Sequence, residues 1–371
     1  MFAKLCELKK PSADKTQTDI DADFKALADR LGKVKNKMNH IPKKAFQYMM
    51  TRMDRYYKLK KHLNTAYNMS VSTNASLKMY EMLALNPMPK LGHITAFCNA
   101  EFPGAFISGI NHFATNRAIP LKWVASSFWP SDQYADSSIF KDEYGLYRKY
   151  KENWLMGPRP DGSYISGDVC QSEVILALSK SAQVNGPINL YTSDAGIDVS
   201  SNYNKQEELT CAINYGQILC GLLSLAPGGV LVTKQYTFFI KFNRALLYKL
   251  FTVFDRLYIT KPATSRPVNS EIYLIGVGFK GISESDKTEM LKISDDLRAG
   301  VNLSDVTLKA PPLEFDYNTY LIATALYDGI QIPAIAAAIE AHKFNSFKDL
   351  DGSAEWIAQT NIKPIDASAR L

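Results

Sequence analysis

Between residues 93 and 279, six short apolar, β-rich runs alternate with helical stretches, and this alternation limits the fold more than any other feature. The runs are 93–98 (HITAFC), 122–128 (KWVASSF), 188–192 (INLYT), 229–235 (GVLVTKQ), 256–260 (RLYIT) and 271–279 (EIYLIGVGF). Residues 172–182 and 208–223 have helical character between them. Strands that are apolar on both faces and separated by helices imply an α/β sandwich with a largely parallel sheet. The last two runs are joined by a short connection. A parallel crossover needs a dozen or more residues, so this pair is expected to be antiparallel.

The flanks differ from this centre. Residues 19–31 place Ile20, Phe24, Leu27 and Leu31 at helical spacing. Residues 33–62 then hold ten Lys or Arg against one acid, Asp54, with Tyr48, Met49, Met50, Tyr56 and Tyr57 interleaved. Such a stretch is either a solvated helix packed through its aromatic face or a basic arm that meets phosphates. After Gly281 the chain is again helical, at 286–299, 317–327 and 333–342. The expected division is a basic helical region over 1–70, a catalytic unit over 71–281 and a helical region over 282–371.

The 371 residues are 46% apolar and 22% charged, close to a globular average, which excludes a disordered chain, a collagen and a coiled-coil rod. The net charge of +6 permits a polyanionic partner without requiring one. Five scattered cysteines with no CxxC pair indicate neither a zinc ribbon nor a disulfide framework, and suit a reducing compartment. No secretory leader or uninterrupted apolar run of about 18 residues is evident. The expectation is a soluble, intracellular protein with no membrane partner.

Candidate chemistry sits at the strand ends. Residues 101–106 (EFPGAF) follow the first strand, where a glycine turn lets backbone approach a nucleotide-like ligand; no GxGxxG is present, which argues against a nicotinamide dehydrogenase. Asp194 lies in SDAGID, Lys234 in GGVLVTK, and Glu271 opens the last run. Lys78 lies on a predicted helix, SLKMYEML. Two amines and two carboxylates brought together nearly cancel in charge. One lysine can then titrate low beside the other, as activation of a weakly acidic alcohol requires. No His, Cys and carboxylate cluster has metal-ligand spacing, and His93 and His112 read as core or turn residues.

In order, these motifs resemble the FtsJ-like family of RNA 2′-O-methyltransferases, most closely the group specific for capped mRNA and related viral enzymes. The resemblance covers about 70–281. It rests on SLKMYEML, on 99–113 (NAEFPGAFISGINHF), on 154–168 (WLMGPRPDGSYISGD), on TSDAGID, on 225–238 (LAPGGVLVTKQYTF) and on 261–281 (KPATSRPVNSEIYLIGVGFKG). It implies a Rossmann-like sheet, mostly parallel with its last strand antiparallel, and a catalytic tetrad of Lys78, Asp194, Lys234 and Glu271. S-adenosylmethionine is the implied cofactor, held near Glu101, Phe102, Pro103, Gly104, Ala105, Phe106, Asp168 and Asp194. Ala105 stands where common members carry a second glycine, and Phe102 where a small residue is frequent.

The implied reaction is direct in-line methyl transfer to a ribose 2′-oxygen, without a metal. Lys234 accepts the proton or steers the oxygen, with its pKa lowered by Lys78. Asp194 holds the ammonium, and Glu271 positions Lys78 or the hydroxyl. The implied partner is the 5′ end of capped mRNA, with other capping or transcription proteins as further candidates, in the cytoplasm or nucleus, or in a virus factory or virion for a viral chain. Arg159, Lys261, Arg266 and Lys280, with Lys151, are candidates for phosphates; Trp129, Tyr134 and Trp154 are candidates for stacking on bases. An rRNA or tRNA enzyme of the same fold, and a non-catalytic RNA-binding subunit of a capping complex, are the competing readings. The oligomeric state is left open.

Overall fold

The computed structural model describes residues 2–4, 15–86, 88–89, 92–129, 141–158, 162–197, 205–306, 308–347 and 351–371. Arg159 and Tyr134 lie outside them. A seven-stranded sheet forms the centre, in the order β1-β8-β9-β7-β6-β2-β3. Its strands are β1 (Phe2–Lys4), β2 (Ile94–Asn99), β3 (Leu121–Ala125), β6 (Ile188–Ser193), β7 (Leu225–Gln235), β8 (Phe254–Thr260) and β9 (Ile272–Phe279). A separate two-stranded ribbon pairs β4 (Gly157–Pro158) with β5 (Tyr164–Ile165). All six strands read from the sequence are present. The three-residue β1, which pairs with β8 at the sheet edge, lies in a region read as helical.

Strands β3, β2, β6 and β7 run parallel, whereas β9 runs antiparallel to both β7 and β8. The expected antiparallel last strand is therefore observed. The register sets Lys234 opposite Tyr273 and Gln235 opposite Ile272, so β9 begins where β7 ends.

Helices cover both faces, which is why β2 and β9 are buried almost throughout. On one face lie α4 (Asn74–Leu85), α5 (Ala105–Asn116) and α14 (Ser353–Thr360), packed on Ala96, Cys98, Val232 and Tyr273. The short α6 (Leu146–Lys149) borders this face. On the other lie α7 (Ser172–Ser181), α9 (Cys211–Ser224), α10 (Lys241–Val253) and α11 (Glu284–Arg298), packed on Phe97, Tyr191, Leu231 and Leu274; α8 (Gln206–Leu209) precedes α9.

The flanks join this second core. Helix α1 (Gln17–Met38) starts with a reciprocal Thr16–Asp19 capping box and buries Ile20, Phe24, Leu27 and Leu31, as their spacing predicts. Its neighbours in the same cluster are α12 (Leu313–Leu326) and α13 (Ile332–Lys343). Helices α2 (Lys43–Arg52) and α3 (Tyr57–Ala66) complete the N-terminal region. The run Leu313–Lys343 is long and apolar enough to cross a membrane, a run the sequence reading did not anticipate. Here Phe315, Leu326, Tyr327 and Ile335 are part of the protein core.

A buried ion triad ties the regions together. The Arg244 guanidinium of α10 meets Asp21 of α1 at 2.6 Å and Asp316 of α12 at 2.5 Å. Arg244 and Asp316 are almost wholly buried, and loss of Asp316 leaves the guanidinium with Asp21 alone. Asp316→Ala is expected to lower folding stability by about 1–3 kcal/mol, measured by urea denaturation.

Candidate active site

Helix α4 is buried over residues 76–83, and two of those residues, Lys78 and Glu81, carry charge. A buried charge must be paired. Lys78 Nζ lies 2.7 Å from Glu271 Oε1, at the start of β9. Glu81, three residues on, meets the connection between β8 and β9. It accepts the Ala263 N–H (2.6 Å), the Thr264 N–H (3.1 Å) and the Thr264 hydroxyl (2.8 Å), and also the Trp356 indole N–H from α14 (3.2 Å).

The second ion pair forms at the adjoining strand ends. Lys234 Nζ lies 3.2 Å from Asp194 Oδ1 and donates to the Asp194 carbonyl at 2.8 Å. Gly196 keeps this approach open, because a Cβ there would sit 3.0 Å from Lys234 Nζ. The Tyr273 hydroxyl joins the two pairs: it donates to Asp194 Oδ1 at 3.0 Å and accepts from Lys78 Nζ at 3.5 Å. The structure thus brings together all four residues singled out in the sequence. Tyr273 was not among them. Its signal was its place two residues after Glu271, on the same face of the strand.

The protonation states differ from the expectation in one respect. Burial opposes the charge on Lys234, but Asp194, Tyr236 and Glu271 outweigh it and hold the amine above its ordinary range. The expected lowering by Lys78 is absent, because Lys78 is taken up by Glu271. Glu271 is pulled well below the usual carboxylate range despite its burial, by Lys78, Lys234 and the Ser265 hydroxyl at 2.7 Å. Lys234 and Glu271 are therefore both held in their charged forms.

Lys261 and Lys280, proposed as phosphate contacts, are placed otherwise. Lys261 is 5% exposed, and its amine donates to Asn269 O (2.8 Å), Asn269 Oδ1 (2.9 Å) and Glu271 O (2.9 Å), which secures the loop that delivers Glu271. Burial, aided by Lys78 and Lys35 and opposed by Glu271, pushes it down to about 7. Lys280 follows the far end of β9. Because β9 is antiparallel, that end lies across the sheet from the tetrad, and Lys280 Nζ instead donates to the Thr252 carbonyl. Arg266 and Lys151 are exposed. Trp154 is a core residue, packed on Phe102, Trp123 and Tyr147, and Trp129 is buried against Tyr147.

The expected cofactor residues line the ends of β6, β2 and β3, which are adjacent. Gly104 caps α5 at φ +111°, and its N–H closes a tight turn onto the Glu101 carbonyl at 2.7 Å. Glu101 is buried and accepts the Phe106 and Ile107 N–H groups at 2.7 and 3.1 Å. Burial drives its carboxyl well above the ordinary range against those two donors, with Asp194 adding to the rise. Glu101 and Phe106 thus build the turn, and Phe102, Pro103 and Ala105 are its partly exposed members. Gly167, at φ +67°, lies against the exit of β3, where a Cβ would come within 2.0 Å of the Ser127 carbonyl oxygen. Only glycine lets the chain bring Asp168 to that edge, where its carboxylate accepts from Cys170 N–H (3.0 Å) and Gln171 Nε2 (2.7 Å). A tight glycine turn, a close-packed Gly-Asp segment and a third carboxylate at Asp194 fit a nucleoside carrying a cationic centre.

This sheet order is that of a Rossmann-like methyltransferase fold, and it places two lysine–carboxylate pairs at its carboxyl edge. The FtsJ-like methyltransferase family matches the chain over residues 72–279, and the chain belongs to that family, whose methyl donor is S-adenosylmethionine. It is 41% identical over 273 residues to the probable methyltransferase EP424R of African swine fever virus (isolate Warthog/Namibia/Wart80/1980), covering 70% of this chain and 63% of that protein. It is 27% identical over 299 residues to mouse (Mus musculus) cap-specific mRNA (nucleoside-2′-O-)-methyltransferase 2, covering 76% of this chain and 38% of that one. The chain therefore spans less than two thirds of the length of these relatives. A solved putative ribosomal RNA methyltransferase from Plasmodium falciparum superposes with a TM-score of 0.34 at 17% identity, covering 57% of this chain and 99% of that chain.

Lys261 generates a pH prediction. Its amine loses its proton at about 7 when folded but only near 10.4 when unfolded, so the unfolded state binds more protons between those values. Stability must then rise with pH across that window, by at most about 1.4 kcal/mol per pH unit from this group. Denaturation of the wild type relative to Lys261→Met, from pH 7 to 10, should show that rise.

Proposed function

We propose that this protein methylates a ribose 2′-oxygen near the 5′ cap of mRNA, with Lys78, Asp194, Lys234 and Glu271 as the reacting constellation. The observation that carries the reading is the pair of buried ion pairs bridged by Tyr273 at the carboxyl edge of the sheet. Similarity to the cap-specific mRNA (nucleoside-2′-O-)-methyltransferases 2 of Mus musculus and Pongo abelii supports the choice of substrate.

When bound, S-adenosylmethionine supplies an electrophilic methyl group. The chain's own residues supply alignment. Lys234, charged and held by two oxygens of Asp194, presents its remaining hydrogen-bonding capacity to the 2′-oxygen. This fixes the nucleophile in line, which is where much of the rate gain of a displacement arises. A strong base is not needed at the outset, because the oxygen becomes far more acidic as its bond to carbon forms. Lys234 then gives one of its own protons to Asp194 Oδ1, 3.2 Å away, and the nitrogen lone pair so freed takes the proton from the oxygen, which leaves Lys234 charged and Asp194 protonated. Lys78 and Glu271 neutralise each other and prevent Lys234 from turning away from Asp194.

We take residues 71–281 as the catalytic unit, with 1–70 and 282–371 as supporting helical regions. Asp168 is assigned to the adenine side of the cofactor, and Arg266 to the RNA backbone. Among the described residues Cys98, Cys170, Cys211 and Cys220 are free, which fits a reducing, intracellular setting.

The test is methyl transfer from labelled S-adenosylmethionine to matched capped and uncapped RNAs, with nuclease mapping of the labelled nucleotide. Label on capped RNA only is expected, and Lys234→Ala should lose at least about a hundredfold in kcat. Equal label on both RNAs would move the assignment to structured RNA, and none on either would leave a non-catalytic binding subunit. Glu81 acts through the 263–264 backbone that leads to Glu271. Glu81→Gln places an amide against N–H donors, and should lower kcat about tenfold while calorimetry shows unchanged S-adenosylmethionine affinity.

A further inference from the structure

A groove of about 440 Å³ opens between the C-terminal half of α1, helix α8 and the loop that follows β7, the strand that carries Lys234 near its end. Thr237, three residues beyond Lys234, lines it with Phe239, and Lys33 and Lys35 of α1 form the opposite wall. Its size falls within the range of small-ligand and nucleotide sites.

Lys35 is the unusual member. It is half-buried, and burial pushes its amine down to about 8, with only the field of Glu207 opposing. Glu207 does not pair with it. The Glu207 oxygens already accept the Thr237 hydroxyl (2.7 Å), the Ile240 N–H (3.0 Å) and the Asn243 amide (2.9 Å). The charge of Lys35 also reaches Lys261, in the loop behind Glu271. A lysine at a helix C-terminus stabilises the helix dipole from solvent, so the dipole does not explain its withdrawal from water.

The basic surface continues away from the groove. Lys33, Lys37, Lys44, Arg52 and Lys61 are exposed, and none forms an ion pair among the described residues. Tyr48 on α2 is 54% exposed among them. Asp29, Glu207 and Glu208 also line the groove, so an anion bound there has to sit against Lys33 and Lys35 and away from these carboxylates.

We propose that this groove binds a phosphodiester of the substrate RNA next to the reacting ribose, with Lys35 as its cation, and that the strand continues over the exposed basic residues of α1 and α2. The proposal rests on the RNA-methylation reading. It adds a binding track in the N-terminal region, outside the stretch matched by the family. A phosphate entering the groove supplies an anionic partner, which Lys35 does not have among the described residues, and Tyr48 offers a ring face to a base.

The test is fluorescence anisotropy of a short capped single-stranded RNA with the full chain across a potassium chloride series, with S-adenosylmethionine affinity measured by calorimetry. Lys35→Ala is expected to weaken RNA binding about three- to tenfold and to reduce the log–log salt slope by about 0.7, with cofactor affinity unchanged and Lys35→Arg restoring binding. An unchanged Kd and slope overturn the track. Should Lys35→Ala fail to fold, the exposed pair Lys44→Glu and Arg52→Glu carries the test, and an unchanged slope there overturns it equally. Competition by polyglutamate as strong as by RNA of equal charge overturns it in favour of an acidic protein partner. Lys35-dependent RNA binding without methylation would overturn the activity and leave the track; RNA methylation with Lys35-independent binding would overturn the track alone.

Discussion

The direction of β9 is the constraint on which the site depends. A strand lying between β7 and β8 and running parallel to them would end, not begin, at the carboxyl edge. Glu271 would then lie across the sheet from Lys234. The antiparallel register instead sets Tyr273 opposite Lys234 and Glu271 one step beyond β7. A strand about eight residues long spans roughly 25 Å, so no side-chain adjustment replaces this choice of direction. The same geometry sends Lys280 to the far edge, where sequence proximity to Glu271 counts for nothing.

Helix α4 completes the arrangement by gripping the loop that precedes β9 at two points. Lys78 holds the carboxylate of Glu271, while Glu81 holds the backbone of 263 and 264. Lys261 closes the loop from inside. Each of these groups is buried and polar, so each stays in place only while its partners do. Through Trp356 the C-terminal region shares in this joint, and through Arg244 both terminal regions brace the opposite face of the sheet. The flanks are thus packed into the same body that holds the site.

The electrostatics favour positioning over basicity. Lysine and carboxylate in a low-dielectric setting stabilise each other's charged forms, and the gain here outweighs the cost of taking Lys234 out of water. A site built this way orients a weak nucleophile without first ionising it. The reversal of the expected pKa shift follows from the pairing pattern, since the two lysines each face a carboxylate and not one another.

Much of this was legible before any coordinates. The six runs, their two-sided apolarity and the short β8–β9 connection determined the sheet, and the order of Lys78, Asp194, Lys234 and Glu271 along the chain determined the candidate set. Local pattern carries such information, because strand alternation and helical spacing are properties of neighbouring residues. What only the tertiary structure decided concerns pairing across the chain: Lys78 with Glu271 instead of against Lys234, Tyr273 as the bridge, Glu81 as the clamp, and Lys261 as an internal tie and not a phosphate contact. Lys78 and Glu81 meet partners more than a hundred positions away there, and nothing in the chemistry of a lone lysine says which carboxylate it will face or whether water will reach it. Burial and partner choice are set by packing, so the sequence determined the set of charges and the fold decided how they are paired.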